Sequence, residues 1–142
     1  MFRTILLATD GSENARRATE AAVTLAGELS HQVTVVVVHV ATSPPSQSRL
    51  VRANFDVHAL LEEDARQVVR GTLDRLEAAG VSSTLKVALG EPVTEILAVA
   101  KKENADLIVI GSRGLGAIRG AVMGSVSQKI AQTADCPVMI VR

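Results

Sequence analysis

Residues 32–40, QVTVVVVHV, decide the fold. Branched side chains at consecutive positions favour an extended chain, because valine is stiff at χ1 and packs well on a pleated surface. The run is apolar at neighbouring positions rather than at every second one. That pattern belongs to a strand covered on both faces, as in a parallel sheet flanked by helices. Outward from it lie further apolar stretches of strand length: FRTILLA (2–8), DLIVIG (106–111) and PVMIVR (137–142). STLKVAL (83–89) alternates more, which suits an edge position or one less buried face.

Between these runs the apolar period changes from two to about 3.6. In 13–29, Ala15, Ala18, Ala22, Leu25, Ala26 and Leu29 form one stripe. A second stripe runs through Val57, Leu60, Leu61, Ala65, Val68, Val69, Leu73 and Leu76 and ends at the stop signal Ala79-Gly80. A third holds Val93, Ile96, Leu97 and Ala100, with Pro92 in the first turn, where its missing N–H costs nothing. A fourth covers roughly 122–134, with Val126, Ile130 and Ala131 facing inward. Strand and helix alternate four times before a last strand. With right-handed crossovers, this predicts a single α/β domain over 1–142, an open parallel five-stranded sheet with helices on both faces. The polar segment ATSPPSQSRLVRAN (41–54) is a long connection, and a surface loop and a lid over a site are equally good readings of it.

Composition narrows function. The formal net charge is zero with a pI of about 6.8, and Phe2 and Phe55 are the only aromatic residues. Nucleic acid is therefore not an expected partner, because charge and stacking surface are both lacking. Cys136 is the only cysteine, so no internal disulfide and no CxxC site is expected, and a reducing, cytoplasmic setting follows. No run approaches the roughly 20 apolar residues that span a bilayer, and no membrane association is expected.

In an open α/β sheet, ligands bind beyond the carboxyl ends of the strands. Here those ends carry ATDGS (8–12), HVATS (39–43), LGEP (89–92) and GSRGLG (111–116). A dinucleotide fingerprint would follow the first strand as GxGxxG, whereas the glycines here follow the fourth, at the wrong spacing. GxxxxGK[ST] is absent, which removes the Walker-type loop. A phosphorelay receiver would need more acidic residues after the first strand and an aspartate closing the third. A mononucleotide site remains. Gly111 and Gly114 would let the chain turn tightly and bring N–H groups to phosphate oxygens. Gly124-Ser125-Val126-Ser127 would open the last helix, whose free N–H groups and positive dipole end favour phosphate. Helix capping is the plainer role for Ser125 and Ser127, but the pair inside this glycine frame favours a ligand.

Gly111-x₂-Gly114-x₉-Gly124-Ser125 resembles the nucleotide motif of the universal stress protein family, in its ATP-binding branch. The resemblance spans the chain, from ILLATDGS through HV, GEP and LIVIGSRG to GSVSQKIAQTADCPVMIV. It implies strand order 3-2-1-4-5 and ATP, AMP or ADP between the first and fourth strand ends, with Mg²⁺. Asp10 would meet the ribose or a metal-bound water, and Val40 would hold adenine through its backbone. Ala8 and Thr9 would line the cleft; Gly111, Gly114, Gly124, Ser125, Val126 and Ser127 would enclose ribose and phosphates. Ala8 stands where relatives often carry proline, which loosens the first loop without removing a contact. The resemblance also implies a homodimer through the last strand, 137–142.

Arg113 and Arg119 would neutralise phosphate charge or be solvated loop residues. His39 reads as a hydrogen-bonded core or dimer-side residue, His31 and His58 as surface positions, and Cys136 as buried rather than reactive. No residue is placed by sequence to activate water at a γ-phosphate, so the expected role is a nucleotide-dependent regulatory protein of the stress response. The alternatives are a slow ATPase or phosphotransferase using the same site, and a nucleotide-free dimeric interaction module.

Overall fold

A computed structural model describes residues 2–112 and 124–142. Its elements are β1 (Thr4–Ala8), α1 (Glu13–Glu28), β2 (Thr34–Ala41), α2 (Gln47–Arg52), α3 (Val57–Val68), α4 (Arg70–Ala78), β3 (Ser82–Leu89), α5 (Pro92–Lys102), β4 (Leu107–Gly111), α6 (Ser125–Thr133) and β5 (Val138–Val141). The strands form one parallel sheet in the order β3-β2-β1-β4-β5. This is the α/β architecture that the alternation of apolar periods predicts.

The valine run explains the sheet. Val35, Val37 and Val33 face one side and pack with Ile5, Leu7, Val109, Ala18 and Ala22 of α1 and Leu76 of α4. Val38 faces the other, with Leu6, Ala8, Ile108, Ile110, Ile96 of α5 and Ile130 of α6. Each fully buried isoleucine or leucine contributes about 1.5–3 kcal/mol of hydrophobic free energy relative to exposure. The small residues Ala15, Ala18 and Ala22 are buried and bring α1 close to the sheet. β3 lies at an edge and alternates in burial, as its sequence does.

Four expectations are corrected. The stripe over 57–79 is not one helix: the chain breaks at the buried Val69 (φ −101°, ψ 13°), which ends α3 and starts α4. Val57 and Val68, assigned inward, are 38% and 44% exposed. The 41–54 connection is not all loop, since it contains α2, capped by the Ser46 hydroxyl. In α6, Ile130 is buried and Val126 half-buried, but Ala131 faces solvent.

Asp106 ties the start of β4 to that of β1. Its Oδ2 accepts from the Arg3 and Thr4 N–H groups at 2.8 and 2.9 Å. The Thr4 bond, then the Arg3 bond, holds its carboxyl below the usual range. A folded-state pKa lowered in this way contributes stability above the ordinary aspartate range and loses it as pH falls through the folded-state value. Asp106→Ala should cost about 1–2 kcal/mol near neutrality. Urea denaturation of both proteins should show the gap closing as pH falls below about 4. A gap independent of pH would show that the carboxylate's charge is irrelevant there.

Candidate functional site

β1 is the strand at which the order reverses, with β2 on one side and β4 on the other. Beyond its carboxyl end lies a cavity of about 180 Å³. Its walls come from Ala8, Thr9 and Asp10 after β1, Val38–Val40 of β2, Pro92 and Ile96 of α5, Ile110 and Gly111 of β4, and Gly124–Ser127 of α6. Nine of the eleven residues singled out from sequence therefore meet in one place: Ala8, Thr9, Asp10, Val40, Gly111, Gly124, Ser125, Val126 and Ser127. Arg113 and Gly114, like Arg119, Gly116 and Gly120, lie outside the described residues.

The backbone at Val40 offers a donor and an acceptor. The Thr9 N–H donates to the Val38 carbonyl at 3.1 Å, the last rung between β1 and β2. On the other edge, the Gly90 N–H donates to the Ala41 carbonyl at 2.9 Å. Successive residues of a parallel strand direct their backbone groups to alternate sides. Val40 thus directs its N–H and C=O the same way as Val38, into the space past the end of β1.

Three helices begin beside this cavity, and their N-termini differ. At α1 the Ser12 hydroxyl accepts from the Ala15 N–H at 3.2 Å, and Asp10 Oδ1 accepts from the Ser12 N–H at 2.9 Å. At α5 the Glu91 carboxylate accepts from the Val93 and Thr94 N–H groups at 3.1 and 2.8 Å. The Thr94 backbone bond, with those from its hydroxyl and from Val93, holds Glu91 below the usual carboxylate range. At α6 the capping position is Gly124, with no side-chain cap. Among the described residues no side chain caps its first N–H groups, and its dipole presents positive charge to the cavity.

The two halves of the glycine motif are fastened by one atom. The Ser112 carbonyl accepts from the Gly124 N–H and from the buried Ser127 hydroxyl, the latter at 2.8 Å. Ser127 also reaches the Gly124 carbonyl at 3.1 Å. Its proton is thus committed to the backbone, and Ser125, which is exposed, is the hydroxyl left to donate outward. Neither serine caps the helix, in contrast to the plainer role weighed for them.

Gly111 is glycine for a different reason from the one its motif implies. It is the last residue of β4, and its φ is not positive. A Cβ there would lie 2.9 Å from the Asn14 backbone carbon and oxygen. The residue lets α1 approach β4. Gly11, by contrast, is turned to φ +80°, and its N–H donates to the Thr9 hydroxyl at 3.2 Å.

Sequence reasoning missed His39, Ser12, Pro92 and Ile96 as cavity walls and Ser112 as the fastening residue. Their signal was position: each sits at or just beyond a strand's carboxyl end or in the first turns of the helix that follows. His39 Nδ1 lies 3.2 Å from the Thr9 carbonyl, so it carries the proton and donates. His31 is half-buried against the Phe2 carbonyl at 3.0 Å rather than a surface residue, while His58 is exposed. Cys136 is half-buried, and burial pushes its thiol up. Among the described residues no helix is long and apolar enough to cross a membrane.

Comparison with known proteins agrees with this fold. The family model described as "Universal stress protein family" matches residues 1–142. A universal stress protein of Thermus aquaticus is 40% identical over 146 residues, with 100% of both chains covered. Universal stress protein YxiE of Bacillus subtilis is 34% identical over 148 residues, again covering 100% of both. Among solved structures, hypothetical protein MJ0577 superposes with a TM-score of 0.79 at 25% identity, over 99% of this chain and 96% of that one. A universal stress protein crystallised in complex with cAMP superposes with a TM-score of 0.71 at 25% identity, over 99% and 97% of the two chains.

Proposed function

The chain belongs to the universal stress protein family, and from that premise we propose that it binds an adenine nucleotide in the cavity past β1 and acts as a nucleotide-dependent regulatory protein. The observation that carries this reading is the pairing of two recognition elements across one cleft. The Val40 backbone faces the cleft from β2, and the uncapped N-terminus of α6 faces it from the other side. An N–H donor beside a C=O acceptor matches the N1 acceptor and the 6-amino donor of adenine. Guanine presents the reverse pattern on the same edge. The uncapped helix end takes the phosphates, with Ser125 adding a hydroxyl. The cAMP complex of a relative supports an adenine ligand for this chain.

Phosphates bring negative charge beside Asp10, so the triphosphate form calls for a divalent cation. Among the described residues no group of three or more His, Cys, Asp or Glu could hold one. Mg²⁺ here would lean on the phosphate oxygens and water, with Asp10 as the protein's contribution. The regulatory reading also assigns a partner, a second copy of the chain through residues 137–142. β5 is a sheet edge on which Met139 is 37% exposed, and an unpaired apolar edge invites another strand.

The test is direct. Protein purified without added nucleotide is denatured, and the supernatant is read by absorbance at 260 nm and mass spectrometry; ATP, ADP or AMP is expected. Titration of stripped protein with ATP and GTP should favour ATP by at least roughly tenfold, since the wrong base leaves buried polar groups mispaired. No released nucleotide together with no adenine preference on titration would overturn the reading.

A further inference from the structure

A second cavity, of about 240 Å³, opens beside the first and shares His39 with it. One wall is the connection after β2, through Pro44, Pro45 and Arg49; the other is α3, through Leu61, Asp64 and Ala65. The first cavity alone, at about 180 Å³, is smaller than the roughly 300 Å³ at which ligand pockets begin. The second cavity is the space next to it across His39. Whatever fills it touches the 42–56 connection.

That connection carries little packing of its own. α2 has six residues and no buried side chain, and a helix so short has no stability of its own. Its side-chain tie to α3 is the Arg49 guanidinium, which donates to both Asp64 carboxylate oxygens at 2.9 and 2.8 Å. At its far end Asn54 and Phe55 are consecutive left-handed residues, at φ 53° and 62°. Their N–H groups donate to the Val51 and Leu50 carbonyls at 3.2 and 2.6 Å, so the left-handed pair closes the end of α2 and turns the chain into α3, and Phe55, 66% exposed, adds no core packing there. α3, which carries Asp64, also reaches the cleft loop: a Cβ on Gly11 would lie 2.8 Å from the Val68 carbonyl.

We propose that residues 42–56 form a gate over the second cavity, latched by the Arg49–Asp64 ion pair and hinged at Asn54-Phe55, that sets the rate of nucleotide exchange. This rests on the adenine-nucleotide reading above. An opened latch uncovers the side of the cleft next to His39 and lets ligand enter and leave faster. Affinity changes less than either rate, because both rates pass through the same gate.

Stopped-flow measurement with a fluorescent N-methylanthraniloyl-ATP tests it. Arg49→Met and Asp64→Asn should each raise the dissociation rate about two- to fivefold, the range that loss of a part-exposed ion pair produces. Association should quicken in parallel. Hydrogen exchange over 47–56 should slow in wild type on saturation with ATP and slow less in the variants. Arg66→Met breaks an exposed pair with Glu62 on the same helix and serves as the control with unchanged rates. Wild-type rates in both latch variants, or equal acceleration in Arg66→Met, would overturn the gate. Absence of analogue binding by wild-type protein would instead overturn the nucleotide reading on which the gate depends.

Discussion

Gly111→Ala should lower folding stability by about 2–3 kcal/mol, seen as a fall in Tm of roughly 6–10 °C. The added Cβ would lie 2.9 Å from the Asn14 backbone carbon and oxygen and 3.1 Å from the Asn14 Cβ. Backbone atoms in the first turn of a helix have no rotamer to change. α1 cannot slide aside cheaply, because Ala15 and Ala18 are packed against the sheet and Ser12 caps its start. β4 cannot retreat either without stretching the Ser112 N–H bond to the Val141 carbonyl, 2.7 Å long, and the Ser112 carbonyl's hold on Gly124. Either relief also shifts one wall of the cavity past β1, so on the proposed reading ATP affinity should fall with stability. Gly27→Ala is the matched control. It lies inside α1 with nothing within 4 Å of its Cβ position, and alanine there should stabilise by up to about 1 kcal/mol. If Gly111→Ala came within about 0.5 kcal/mol of wild type, the α1–β4 contact would be looser than its geometry states.

The order of elements was legible because two apolar periods alternate, and the valine run tells a sheet covered on both faces from one open to water. The helix break was not legible. Val69 continues the apolar stripe and is itself buried, so nothing in periodicity marks a residue that leaves helical geometry while staying in the core. α2 was hidden for the opposite reason: with no buried side chain it leaves no apolar period to read. At the site, residue types indicated where backbone must come close, but not which neighbour it approaches. Gly111 accommodates a helix rather than a turn, and the Ser127 hydroxyl fastens backbone rather than waiting for a ligand. Capping was the least legible feature. Ser12 and Glu91 cap α1 and α5, while among the described residues no side chain caps α6, and on the proposed reading that difference gives the cleft its direction.

That direction is what Gly124→Val tests. Gly124 sits at φ −75° and ψ 162°, an extended conformation that valine adopts readily. The substitution should leave the bond from its N–H to the Ser112 carbonyl in place, and stability should fall by no more than about 1 kcal/mol, the cost of a poorer N-cap. The branched side chain instead stands at the mouth of the uncapped helix end, where phosphate oxygens must approach the free N–H groups. Charge-assisted hydrogen bonds of this kind contribute about 1.5–3 kcal/mol each, and losing two of them weakens ATP binding by at least roughly a hundredfold. Adenosine separates the two ends of the proposed site. On that reading it is held at Val40 and lacks phosphates, so its affinity should fall less than about threefold in the same variant. Calorimetric titration of both ligands against both proteins gives the difference. ATP binding at wild-type strength would move the phosphate site away from α6, whereas equal losses for ATP and adenosine would mean that the valine closes the whole cleft rather than its phosphate end.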